Sequence, residues 1–281
     1  MPEFPRLLIA GCGDLACRTG STLAAQGWSV QGLRRQVAGL PPPIHPLAGD
    51  LAQAQCPAGW PAQAPDYLLY AAAADRSDEP AYRAAYVDGL RHVLGWLTEH
   101  GQRPRRLLFV SSTAVYGQHS GEWVDEASPC EPQGFTGRVL LEAERLALSS
   151  GIPASVVRLA GLYEGTSRWL VDQLRAGLTP TAEPPLYSNR IHRDDAAALL
   201  AYLLQADAHG ERLETIYLGV DDEPAPLHEV AEWLRARFDI KTPPGAPMQR
   251  RAGSKRCSNA RARSLGWAPR YPSYREGYGE S

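Results

Sequence analysis

The chain has 281 residues and a formal net charge of −2 at pH 7, a length that admits one α/β unit with an appended lobe and a charge that argues against a general polyanion binder. Its five cysteines, Cys12, Cys17, Cys56, Cys130 and Cys257, are odd in number and scattered without a C-x-x-C pair, which suits a reducing compartment and gives no support for a metal site. No stretch approaches a membrane span, and Pro2, Glu3 and Pro5 before a short apolar run do not read as a secretory leader. A cytoplasmic protein that binds neither nucleic acid nor membrane is expected.

The apolar run Leu7 to Ala10 ends in Gly11-Cys12-Gly13-Asp14-Leu15-Ala16. Cys17 to Gln26 suits a helix, and Trp28 to Arg35 forms a second apolar run closed by two arginines. This is the pattern of a β-turn-α-β unit with a dinucleotide site. Gly11 lets the chain turn tightly off the strand, and Gly13 leaves room for a pyrophosphate at the positive end of the helix. Asp14 and Leu15 complete the candidate contacts, and Ala16 stands where a third glycine often packs helix on strand. The alternative is a purely structural turn. Cys12, inside the turn, is the cysteine to watch for oxidation. An acidic residue at the end of the second strand would bond a ribose 2′-hydroxyl, whereas arginine accommodates a 2′-phosphate. Arg34 and Arg35 therefore favour NADP(H) over NAD(H), unless they are solvated strand-end charges.

Asp50-Leu51, after a proline-rich loop and a third short strand, can contact the adenine side of such a ligand, or Asp50 can simply cap a helix over Ala52 to Ala54. Asp66 to Ala74 reads as a buried strand ending in small residues, of which Ala71, Ala72 and Ala73 would allow a cofactor close. Tyr82 to His100 has helical periodicity. Arg106 to Ser112 is the next strand, with hydroxyls at the C-terminal edge where open α/β sheets bind ligands. A helix over Arg138 to Leu148 and a strand over Ser155 to Ala160 continue the alternation, which predicts a doubly wound parallel sheet of Rossmann type over residues 1–160. Residues 161–281 are expected to form a smaller C-terminal lobe, with chain exchange between the two allowed. Helices are predicted over Trp169 to Leu174, Asp194 to Leu204 and Leu227 to Phe238, with a strand over Thr215 to Gly219. Lys241 to Pro247 reads as a linker or lid. The cluster Arg250, Arg251, Lys255, Arg256, Arg261 and Arg263 is either a phosphate-binding patch or a solvated face.

At Ser111-Ser112-Thr113-Ala114-Val115-Tyr116-Gly117 the chain resembles an extended short-chain dehydrogenase/reductase of the NAD-dependent epimerase/dehydratase superfamily. The resemblance extends through Gly11 to Ala16, Asp50-Leu51, Ala71 to Ala73, Val157 to Tyr163 and Arg190-Ile191-His192-Arg193-Asp194-Asp195. It implies a hydroxyl that polarises substrate, at Ser112, and a tyrosine four residues before a lysine that shuttles a proton. The family's Y-G-x-S-K-x-x-x-E pattern puts Thr136 at the tyrosine, Leu140 at the lysine and Glu144 at the glutamate; a shift by one gives Phe135 and Val139. Asp88 stands near the family's relay asparagine. Ser188 stands at its sugar-diphosphate arginine, which argues against a nucleotide-sugar substrate. The resemblance is to an atypical branch lacking the Tyr-x-x-x-Lys pair.

The expected activity is NADP(H)-dependent oxidoreduction or epimerisation of a small carbonyl or sugar-type molecule. Ser112, Thr113 and Tyr116 are the candidate catalytic residues, and Tyr163, Arg190 and His192 the candidate substrate contacts. Each has a structural alternative: Tyr116 packs under its loop, Tyr163 lines the lobe interface, and His192 bonds backbone at a helix start. The competing reading is a catalytically degenerate NADP(H) sensor or regulatory protein. A monomer or homodimer is expected.

Overall fold

The computed structural model describes residues 4–164, 169–241, 243, 245 and 253–279. Its centre is a seven-stranded parallel sheet of β1 (Arg6–Ala10), β2 (Ser29–Arg34), β3 (Ile44–Ala48), β4 (Tyr67–Tyr70), β5 (Arg106–Ser112), β6 (Ala154–Leu159) and β7 (Ile216–Gly219), in the order β7-β6-β5-β4-β1-β2-β3. The middle strands are apolar on both faces because helices cover both faces: all four residues of β4 are buried, as are five of the six in β6. On one face α1 (Asp14–Ala24) and α4 (Arg193–Ala208) pack against Leu7, Ile9 and Tyr217. On the other, α2 (Gly89–Glu99) and α3 (Phe135–Leu148) pack against Leu8, Leu68 and Phe109. This is the Rossmann-type α/β architecture. Connections run outward in opposite directions from β1 and β4, so a crevice opens beyond their C-terminal ends.

Several elements differ at their ends from the sequence expectation. Helix α1 starts at Asp14 rather than Cys17, and α3 at Phe135 rather than Arg138, since a helix can begin directly after Gly13 or Gly134 in extended backbone. Asp50 accepts from the N–H of Ala52 at 3.0 Å but caps a turn, not a helix. The helical run before α2 holds a π-helical segment, Arg83–Asp88, which the apolar periodicity did not signal. There the carbonyl of Ala85 accepts the hydroxyl of Tyr70, which binds the segment to β4.

Helix α4 and strand β7 lie beyond residue 160, yet both belong to the sheet layers, so the chain returns to the sheet after residues 161–192. The remaining segments form small ladders: Gly161–Tyr163 with Arg190–His192, Tyr187–Ser188 with Ala225–Pro226, and Glu122–Val124 with Lys255–Cys257. A separate apolar cluster joins Tyr163, Tyr274 and Tyr278 to Val230 and Leu234 of α5 (Leu227–Arg237). The linker or lid expected over Lys241 to Pro247 falls largely outside the described residues, as do Arg250 and Arg251. Among the described residues no helix is long and apolar enough to cross a membrane, and no His/Cys/Asp/Glu group could hold a metal ion.

Candidate cofactor and active site

A cleft of about 760 Å³ runs along the C-terminal ends of β1, β2 and β4. Gly11 and Gly13 line it on one side, Arg34 and Asp50 on another, and Ala71, Ala72 and Ala73 form the floor beyond β4. The two glycines do different work. Gly11 has φ +85°, and a Cβ there would stand 2.5 Å from the Cα and N of Ala72, so only glycine lets β1 turn this close to β4. Gly13 has φ −84°, open to any residue, and a Cβ on it would meet nothing within 4 Å. The open volume above Gly13 lies at the N-terminus of α1, which no side chain caps. The N–H groups of the helix's first turn are therefore left for an anion or water. A dinucleotide's pyrophosphate fits this cradle.

Asp14 and Leu15, expected as cofactor contacts, have other engagements. Asp14 pairs with Arg18 at 3.2 Å and with Arg193 at 3.1 Å. Arg18 also reaches Asp194 at 2.6 Å and Glu164 at 3.0 Å, so this cluster ties the start of α1 to the start of α4. Leu15 packs against the core under α1. At the end of β2, Arg34 is half-buried in the cleft wall and has no ion pair among the described residues. Arg35 is exposed and forms a bidentate pair with Asp75 at 2.7 and 2.9 Å. No carboxylate stands at the strand end itself, where Arg34, Arg35 and Gln36 follow Leu33. Leu51 offers its carbonyl to Nδ1 of His92 at 2.8 Å, which fixes the Asp50-Leu51 corner on α2.

Strands β4 and β5 pair in register, Tyr70 with Phe109, so Ala71 and Ser112 leave the sheet at the same edge. The Ser112 Oγ accepts from the N–H of Ala114 at 3.2 Å, which leaves its proton to donate. Thr113 beside it is half-buried in a short 3-10 turn, Thr113–Val115. Tyr116 is different. Its phenol is buried, donates to the carbonyl of Asp125 at 2.8 Å and accepts from Nη1 of Arg158 at 2.8 Å. Burial pushes its pKa well above the ordinary range, outweighing the cation beside it. Arg158 also grips Glu144 through Nη2 at 2.7 Å, and Glu144 accepts from Ser111 at 2.6 Å. The result is a buried chain, Ser111–Glu144–Arg158–Tyr116, standing directly behind Ser112.

The model of the NAD dependent epimerase/dehydratase family matches residues 11–163. The chain belongs to this family. It is similar to the 3-diazoavenalumate denitrifying reductase of a Streptomyces species, 27% identical over 98% of this chain and 99% of the other. It is also similar to a solved structure from Methylobacillus flagellatus assigned to the NAD-dependent epimerases/dehydratases, with 35% identity, TM-score 0.79 and coverage of 99% and 97% of the two chains. The Bordetella bronchiseptica enzyme WbmG, solved with NAD, shares the fold at 17% identity and TM-score 0.77 over 99% and 93% of the chains.

Of the residues that the sequence pattern sets against the family's tyrosine and lysine, Thr136 and Phe135 lie in the first turn of α3, and Leu140 is buried with Val115 and Tyr116. The whole chain has two lysines, Lys241 and Lys255, and the residues four places before them are Arg237 and Arg251. Lys255 is buried and donates from Nζ to the carbonyl of Tyr116 at 3.1 Å. The rest of the basic tail is likewise built in. Arg256 donates to the carbonyl of Gly121 at 2.7 Å and lies over the Trp123 and Tyr187 rings. Arg261 donates to the carbonyl of Ile216 at 3.0 Å, and Arg263 lies 3.9 Å from Asp222. Lys255, Arg256 and Arg261 bind the tail to the fold, whereas Arg263 is exposed, so the described part of the cluster is divided between built-in and solvated side chains.

Tyr163, Arg190 and His192 come together, but none of them lines the cleft. His192 packs tilted against Tyr271 with ring centroids 4.0 Å apart, and its Nδ1 accepts from the N–H of Asp194 at 3.2 Å, capping α4. Tyr163 donates to the carbonyl of Ser273 at 3.1 Å and packs edge-on to His192 at 5.5 Å. Arg190 bonds Ser188 and lies over the Tyr274 ring at 5.1 Å. All three are buried. Asp88 pairs with Arg91 at 2.7 Å on the flank of α2. Sequence reasoning missed the partners Glu144 and Arg158, although a glutamate at the family position was the available signal for the first.

Proposed function

We propose that the protein holds NADP(H) in the cleft and uses it for oxidoreduction of a small carbonyl or sugar-type molecule at the Ser112 edge. The observation that carries the cofactor choice is Arg34, a cleft-wall guanidinium with no ion pair among the described residues, at the strand end where NAD(H) would want a carboxylate. Arg35 adds a second cation that a 2′-phosphate would share with Asp75. The first-turn N–H groups of α1 would hold the pyrophosphate, and Ala71 to Ala73 leave room for the chain of the ligand between it and the reacting edge. NADP(H), when bound, supplies or accepts the hydride. Ser112 and Thr113 would donate hydrogen bonds to the substrate oxygen, stabilising the charge that develops there. Tyr116 acts as a positioning residue: with its hydroxyl held by Arg158 and Asp125, it fixes the loop after Ser112. The reductase name of a relative 27% identical over 98% of this chain supports the redox direction of the reading. We also infer two lobes, with α4 and β7 joining residues 1–160 in the cofactor lobe.

NADPH is expected to bind more tightly than NADH, and Arg34→Ala to erase the difference. A charge-assisted bond to phosphate contributes about 1.5–3 kcal/mol, so titration should show a preference of roughly tenfold to a hundredfold; equal affinities in the wild type overturn the 2′-phosphate assignment. A screen of aldehydes, ketones and sugar derivatives then tests turnover. The buried phenol of Tyr116 favours a second reading, an NADP(H)-binding regulatory protein. That reading prevails if no substrate oxidises or reduces the cofactor while NADPH changes association with a partner.

A further inference from the structure

The Sγ atoms of Cys12 and Cys17 lie 3.7 Å apart, one in the glycine turn and the other in the first turn of α1. Cys12 is wholly buried, and its sulfur occupies the space that a side chain at Gly32 would need, since a Cβ there would lie 2.7 Å from it. Cys17 is half-buried and both cysteines are free thiols. A disulfide requires a separation of about 2.05 Å, so the sulfurs must close by roughly 1.7 Å, the difference between 3.7 Å and that bond length. The turn cannot take up this motion at Gly11, which is fitted against the backbone of Ala72. Side-chain rotation takes up part of the closure, and the backbone share of it would fall on Gly13 to Ala16 and on the 2.8 Å bond from the Cys17 N–H to the Gly13 carbonyl, which begins α1.

We propose that Cys12 and Cys17 form a reversible disulfide under hydroperoxide, and that this bond closes the pyrophosphate cradle to NADP(H). The bond-forming half stands on the thiol geometry alone; the affinity half rests on the cofactor reading above. Cys17 meets the oxidant first, because it is the more accessible thiol and burial pushes the Cys12 thiol up to about 12. The Cys17 sulfur attacks a peroxide oxygen, the O–O bond breaks, and Cys17 becomes a sulfenic acid with release of water or alcohol. The Cys12 sulfur then attacks the sulfenic sulfur, its proton leaves with the departing hydroxyl as water, and the S–S bond forms. Two thiols are oxidised by two electrons and one hydroperoxide is reduced. A small-molecule dithiol reverses the change by exchange. Linkage requires the converse as well: if the disulfide weakens NADPH binding, bound NADPH disfavours the disulfide to the same degree.

The test is to treat the full-length protein with a small excess of hydrogen peroxide, with and without NADPH, then alkylate the remaining thiols and map the peptides by mass. The expected product is a Cys12–Cys17 link with loss of two of the five free thiols. NADPH affinity should fall by on the order of tenfold and recover with dithiothreitol. Prior saturation with NADPH should slow the link, and Cys17→Ser should keep the reduced protein's affinity while becoming indifferent to peroxide. Oxidation that stops at sulfinic acid, links other cysteines, or yields a linked protein with unchanged NADPH affinity overturns the proposal. If the reduced wild type does not bind NADPH at all, the cofactor reading fails, and the peptide map still decides whether the disulfide forms.

Discussion

Replacing Gly13 with valine separates fold from ligand binding. The residue's φ of −84° and ψ of −168° are extended backbone that valine adopts freely, and its Cβ meets nothing within 4 Å. The cost to the fold is limited to a poorer helix N-cap, about 1 kcal/mol, and is offset in part by about 0.4–1 kcal/mol from a less flexible unfolded chain. The melting temperature should therefore move by only a few degrees. The isopropyl group, however, would stand in the open volume before the N-terminus of α1, where the pyrophosphate is assigned. Loss of even one charge-assisted hydrogen bond costs about 1.5–3 kcal/mol, so NADPH affinity should fall by roughly tenfold to a hundredfold. Gly11→Ala is the contrasting control. A side chain at φ +85° costs about 1–2 kcal/mol, and crowding the Ala72 backbone at 2.5 Å adds about 1–3 kcal/mol, so this variant should lose stability first. Thermal unfolding followed by circular dichroism, together with NADPH fluorescence titration, reads both quantities. A folded Gly13→Val protein that binds NADPH as tightly as the wild type would refute the placement of the pyrophosphate.

Two further substitutions probe the surroundings. Glu144→Gln strands the guanidinium of Arg158 in a site where the two side chains are 2% and 3% exposed; leaving a buried charge unpaired costs about 3–5 kcal/mol, and chemical denaturation should show a loss of that size, with a value near zero arguing that the pair is not formed. His192 caps α4 as a neutral ring, and burial lowers its pKa from 6.5 in spite of the acidic groups nearby. Its contribution to stability is thus present above about pH 6.5 and lost as pH falls through the lower folded value. His192→Asn keeps a capping oxygen and should flatten the fall in melting temperature below that pH; parallel curves for the two proteins would count against the cap.

The local grammar of the chain was enough for the frame. Apolar runs, glycine punctuation and helical periodicity from Leu7 to Ala160 specify alternating strands and helices, because those signals act over a few residues and a parallel sheet follows from their alternation. The glycine turn was legible for the same reason: Gly11 and Gly13 are neighbours in sequence, and both line the cleft that opens before α1. Ser112 and Thr113 likewise fall at the C-terminal edge of β5, as the strand pattern predicted.

What became of the polar side chains depended on partners far along the chain. Tyr116 stood between a catalytic phenol and a side chain packed under its loop until Arg158, itself held by Glu144, was brought against it from another element. Lys255 and Arg256 looked like surface charge until their strand paired with Glu122–Val124. His192 and Arg190 looked like ligand contacts until aromatic side chains from beyond residue 270 covered them. The sequence by itself determined a Rossmann sheet with a glycine-turn cradle at its first helix, since turn and helix geometry are set by adjacent residues. Only the tertiary structure decided which donors and cations remain available at that cradle, because burial and pairing are properties of residues that meet in space, not in sequence.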